Sequence, residues 1–151
     1  MVFIEDSGSV FDAQLDMVWK LGEAHIKEGN RIHPSTRNAN TEILNETTFI
    51  NSWEQVDDDA NGQNIRIKIR GTIYYPLGIA FEILEGLFAD SKYFLYYIPI
   101  DNNKTGVTVV GDFKSNMIPE DEIKPIVLDF SERVFNEDVA YLKAMIQKKN
   151  H

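Results

Sequence analysis

The chain has 151 residues, no cysteine, and 24 acidic against 15 basic side chains, for a formal net charge of −9. The lack of thiols excludes disulfide scaffolds, cysteine-ligated zinc, iron–sulfur clusters and thiol catalysis. The negative charge argues against partners recognised through phosphates, whether nucleic acid or an anionic membrane surface. With 43% hydrophobic residues, residues 1–151 suffice for one domain with a sizeable core. No run approaches the roughly 18 apolar residues of a membrane helix. Met1–Asp6 has neither the basic region nor the apolar core of a signal peptide. A soluble, cytoplasmic protein without integral membrane association is expected.

Val2–Phe11 reads as a strand interrupted at Ser7-Gly8-Ser9. Asp12 is placed to cap a short helix over about 13–21, in which Leu15, Val18 and Trp19 recur at helical spacing. A second short helix fits 23–28, ended by Gly29-Asn30, and His33-Pro34 stops regular structure. Strands then follow over 36–45 and 47–56. Asp57-Asp58-Asp59 with Gly62 makes a solvated hairpin tip without the ligand spacing of a calcium loop. In 64–70, Ile65, Ile67 and Ile69 alternate with Arg66, Lys68 and Arg70, so one face is buried and the other wet. Glu42, Glu54 and Glu82 are candidate partners for that basic row. Residues 72–75 continue the strand, Pro76-Leu77-Gly78 turns it, and 79–84 returns. A second hairpin runs through 93–100 and 106–113 around Asp101-Asn102-Asn103. Gly71, Gly78, Gly106 and Gly111 suggest bends in a curved sheet.

The last segment is helical. Glu120, Asp121 and Glu122 suit a helix N-terminus, and Lys148 and Lys149 suit its C-terminus. Ile123, Val127, Phe130, Val134, Tyr141 and Met145 make one apolar row, and Phe135, Val139, Leu142 and Ile146 a second beside it. A stripe this wide implies a helix largely covered by a sheet. Pro125 marks either the start of regular helix or a bend. The expected architecture is α+β: a curved antiparallel sheet of six to seven strands, two short helices, and one long C-terminal helix across the sheet. Such a sheet and helix enclose a concave apolar pocket.

This succession resembles the helix-grip fold of the START-like (SRPBCC) superfamily, which includes polyketide cyclases/dehydrases and birch-pollen-allergen-like proteins. Phe11–Trp19 resembles that family's passage from first strand to first helix. Tyr74–Gly86 resembles its middle hairpin with a Pro at the turn, and Phe135–Lys143 the end of its last helix. The resemblance implies a pocket for a small hydrophobic or lipid-like ligand. Some members bind or transfer, others cyclise or dehydrate, and co-chaperone relatives bind proteins, so the fold does not choose among them.

Trp53, Tyr75, Phe81, Tyr93, Tyr97 and Phe113 are the strand aromatics able to line the pocket, or simply to fill the core. Phe130, Val134 and Tyr141 face it from the long helix. The ligand set is therefore Trp53, Tyr75, Phe81, Tyr97, Phe113, Phe130, Val134 and Tyr141. No catalytic residue is identified. Glu82, Asp112, Tyr75 and Arg31 are the polar groups a cyclase would need, their facing undetermined because a one-residue register slip exchanges the faces. His25 and His33 read either as acid–base residues at the pocket mouth or as exposed or capping residues, the second being preferred.

Some Rieske-type ring oxygenases share this fold, and Trp19-Lys20-Leu21, Glu28 and His33-Pro34 resemble their iron-binding stretch. A facial triad needs two histidines and one carboxylate; only His25 and His33 precede His151, and the cluster's cysteines do not exist. No metal and no cofactor are expected. Finally, 93–100 is apolar on both faces, so its outer side is covered either by a second copy in a homodimer or by an end of the chain or a loop.

Overall fold

The structure is a computed structural model that describes residues 1–28, 33–57 and 63–149. Its elements are β1 (Val2–Phe11), α1 (Leu15–Glu28), β2 (Thr36–Ile43), β3 (Thr48–Asp57), β4 (Gln63–Tyr74), β5 (Gly78–Glu85), β6 (Lys92–Asp101), β7 (Lys104–Phe113) and α2 (Glu120–Lys149). The strands form one antiparallel sheet in the order β1-β7-β6-β5-β4-β3-β2. Long meanders of this kind bend through bulges and glycines. β1 shifts register between Asp6 and Ser9, where Gly8 has φ +100°. β2 shifts between Arg37 and Asn40, with Asn38 at φ 52°. Opposite Phe49, a Cβ on Gly71 would lie 2.2 Å from the Phe49 ring, so only glycine lets that ring lie across the strand.

The helices depart from the expected pattern. The two short helices are one continuous helix, α1, with Gly22 buried inside it. A helical Gly is less favourable than Ala by about 1 kcal/mol, too little to interrupt a helix that buries Val18, Trp19 and Leu21. Asp12 does not cap it, because the first carbonyl to accept is that of Gln14, from Met17 and Val18. Pro125 neither starts α2 nor ends it, since the helix is continuous from Glu120. The Gly29-Asn30 stop, the Asp58-Asp59 tip with Gly62, and Arg31 lie outside the described residues.

The core between sheet and helices falls into two clusters. One joins Ile4 and Phe113 to Ile123 and Val127 at the start of α2. The other joins Phe11, Val18, Trp19, Leu21, Phe49, Ile79, Tyr97 and Val107 to Leu142 near its end. Between these footholds, from Leu128 to Tyr141, no residue of α2 is fully buried, although Phe135 packs on Phe11 at 4.8 Å, Val139 and Tyr141 lie against the second cluster, and Ser131 donates to Asp6 on β1.

On the outer sheet face Arg70 pairs with Glu82 at 3.4 Å, and Arg66 with Glu85 at 3.2 Å. Glu54 instead accepts from Asn38. On β6, Tyr93 and Tyr97 point inward, while Tyr96, Ile98 and Ile100 are exposed outside. No helix among the described residues is long and apolar enough to cross a membrane.

Candidate functional site

Six of the eight predicted ligand residues lie inside the grip. Trp53, Tyr97 and Phe113 are buried, and Phe81, Val134 and Tyr141 are half-buried. An aromatic file runs across the inner face: Phe81 stacks on Tyr93 at 5.0 Å, and Tyr93 on Phe113 at 5.6 Å. The other two residues stand at the margin. Tyr75, 72% exposed, lies over Trp19 at the β4–β5 turn, where the Trp19 indole donates to the Pro76 carbonyl. Phe130 is 41% exposed, with the Arg133 guanidinium 5.2 Å from its ring. Two open depressions, of about 520 and 410 Å³, lie on the solvent side of α2 and over the strands from Phe3 to Tyr96.

The polar candidates fare differently. Glu82 is occupied by Arg70 on the outer face, Asp112 is exposed, and Tyr75 is at the rim. The ionisable groups that do meet at the second foothold are His25, His33 and Asp138. The histidines are not exposed caps. Their side chains are 20% and 10% accessible, and that of Asp138 is 16%. His25 lies on the apolar side of α1, one turn beyond Leu21. His33 opens the turn that leads into β2, its carbonyl accepting from the Thr36 N–H. Asp138 comes from α2, four residues from both Val134 and Leu142, so it shares their side of the helix.

Three atoms converge. His25 Nε2 is 3.0 Å from His33 Nε2. Asp138 Oδ1 is 2.9 Å from the first and 3.5 Å from the second. That buried oxygen nevertheless receives no aligned hydrogen bond. The outer nitrogens are fixed separately: His25 Nδ1 meets the Leu21 carbonyl at 2.9 Å, and His33 Nδ1 meets Glu137 Oε2 at 2.5 Å. A carbonyl and a carboxylate only accept, so both rings carry their proton on Nδ1. Burial opposes a charge on His25. The Asp138 carboxylate and the Leu21 carbonyl outweigh burial and hold its pKa above the ordinary imidazole value. The Tyr97 hydroxyl packs beside Gly22, on the turn of α1 before His25. Burial, assisted by the Asp138 charge, raises its pKa and keeps it neutral.

The sequence analysis does not single out Asp138, because one acid on a long helix carries no local sign of a partner. An acid standing between Val134 and Leu142 at helical spacing was the available signal. The histidines were singled out, but nothing in the sequence brought them to α2.

No family model matches the sequence, and neither does any curated protein. Solved structures do match in shape. The Zhui aromatase/cyclase from Streptomyces sp. R1128 superposes with TM-score 0.71 at 14% identity, over 99% of this chain and 96% of that one. Ara h 8.0201 gives 0.72 at 14%, over 95% and 98%. A START superfamily protein from Mycobacterium smegmatis gives 0.65 at 13%, over 95% and 98%. The chain thus has the START-like helix-grip fold, as the sequence resemblance implied.

Proposed function

We propose that the protein is a single-domain cytoplasmic carrier that binds a small hydrophobic ligand between the sheet and α2. One observation carries this reading: from Leu128 to Tyr141 the apolar side chains of α2 are at most half-buried, beside an aromatic inner sheet face. Apolar side chains left half-buried give a ligand surface to cover, worth roughly 25 cal/mol per Å² before the costs of binding. Trp53, Phe81, Tyr97, Phe113, Val134 and Tyr141 line the site in this reading, with Tyr75 and Phe130 at its margins. The fold of an aromatase/cyclase and of Ara h 8.0201 supports it.

Native mass spectrometry of the purified chain, with extraction of what it carries, tests the reading. A reproducible excess mass matched to one hydrophobic compound, and lost in Val134→Trp, is the expected result. A ligand-free mass with no uptake of added lipids or aromatic polyketides contradicts it, and the exposed β6 row of Tyr96, Ile98 and Ile100 then favours a protein-binding role. In the carrier reading that row is covered by a second copy, and sedimentation should give a dimer.

A second reading, cyclisation or dehydration of an aromatic substrate, draws on the two histidines and the carboxylate beside the apolar interior, which are able to move a proton. Turnover abolished by His33→Gln would favour the enzyme over the carrier.

A further inference from the structure

We propose that His25, His33 and Asp138 bind one divalent first-row transition-metal ion, with Glu137 holding His33 from behind. Such an ion binds imidazole nitrogen and carboxylate oxygen at about 2.0–2.2 Å, which sets neighbouring donors about 3.0 Å apart on an octahedral face and about 3.4 Å apart in a tetrahedron. The three donor atoms here are 2.9, 3.0 and 3.5 Å apart. They already occupy three adjacent corners of a coordination shell.

Protonation points the same way. Both Nδ1 atoms face acceptors, so both Nε2 atoms direct lone pairs at each other and at a carboxylate oxygen. Three electron-rich atoms in a partly buried place require positive charge among them. A proton on one nitrogen bridges a single pair and leaves Asp138 Oδ1 unaligned, as it is. A metal ion serves all three together. The second contacts are those that histidine ligands use: a backbone carbonyl on one outer nitrogen and a carboxylate on the other, which orient the rings and raise their basicity. Two neutral imidazoles with the charges of Asp138 and Glu137 balance a divalent ion.

The donors also select the metal. Two nitrogens and one oxygen suit zinc, iron(II), cobalt(II) or nickel(II), and are wrong for calcium and magnesium, which take oxygen shells. Three protein ligands leave positions open to water or to a donor atom of a bound molecule. This proposal is independent of the carrier reading, since a metal can bind whether or not a hydrophobic ligand does.

The test is titration of the full chain, freed of metal by chelation, with Co²⁺ and then Zn²⁺, read by calorimetry and by the visible absorption of cobalt. One ion per chain is expected, with cobalt bands that zinc displaces. Asp138→Asn and His33→Gln should each weaken binding about 100-fold or more, and Glu137→Gln about 10- to 100-fold. His151→Ala should change nothing. Circular dichroism checks that each variant is folded. Should the ligand variants not fold, imidazole NMR of the wild type decides: at one equivalent of Zn²⁺ the signals of two histidines should move, with both Nδ1 protons retained. The proposal is overturned by the absence of stoichiometric binding, by binding that folded Asp138→Asn and His33→Gln leave intact, or by a triad that takes up only a proton.

Discussion

The two footholds of α2 are built from the same helix and sheet but differ in kind. At the first, Ile123 and Val127 meet Ile4 and Phe113, with Val2, Phe88, Tyr93 and Val109 around them, and Asp6 of β1 accepts a hydrogen bond from Ser131, one turn past Val127. Burial raises the Tyr93 pKa and keeps that phenol neutral. At the second, Leu142 meets Trp19, Leu21 and Tyr97, yet Asp138 stands one turn before Leu142 and faces two histidines. A helix needing only to be held down would repeat the first arrangement. Burying a carboxylate and two imidazoles is unfavourable unless they are partnered. The first end is thus held mainly by apolar contact, and the second stands on polar groups that partner one another.

The largest effect should come from breaking the apolar end. Ile123→Ala should lower unfolding free energy by about 2–5 kcal/mol in urea titrations, with Co²⁺ affinity unchanged. A matching loss of metal affinity would show that the two ends are not independent.

At the polar end, Asp138→Asn in metal-free protein near pH 6 should lower stability by about 1–3 kcal/mol, since it removes the partner of a charged imidazole. An unaffected urea midpoint would mean that the Asp138–His25 contact is not made in solution.

The pH dependence should separate the ends further. The pKa of His25 is raised on folding, so its contribution is complete below the unfolded value near 6.5 and is lost as pH rises through the folded value. The chelated wild type should therefore lose stability as pH rises above the ordinary imidazole value of about 6.5. Asp138→Asn should flatten that slope and Ile123→Ala should preserve it. Asp138, His33 and the Leu21 carbonyl face the ring while Glu137 contacts His33, so Glu137→Gln, which leaves Asp138 in place, should keep the sign of the slope.

The smallest effect belongs to the wet face of the sheet. The exposed Arg66–Glu85 pair should show a coupling below about 1 kcal/mol in a double-mutant cycle, a baseline against which both ends of α2 can be judged.

The sheet was readable because its signals are local. Ile65, Ile67 and Ile69 alternate with charges inside one strand, and the Pro76-Leu77-Gly78 and Asp101–Asn103 turns announce themselves. The first foothold was readable for the same reason, as the start of an apolar row. α1 was divided because Gly22 resembles a break when its burial is unseen. The second foothold depends on residues over a hundred positions apart, as in the His33–Glu137 contact. Its carboxylate carries no local sign of its partners, and a triad looks unsupported when only His25 and His33 precede His151 and no cysteine is present.

The comparison rests on the second foothold being a metal site, and anomalous diffraction at the zinc edge tests that most directly, on crystals grown from the zinc-loaded chain. The account predicts one strong peak about 2.0–2.1 Å from His25 Nε2, His33 Nε2 and Asp138 Oδ1. A triad in which the two imidazoles share a hydrogen bond, with zinc elsewhere or absent, would contradict it.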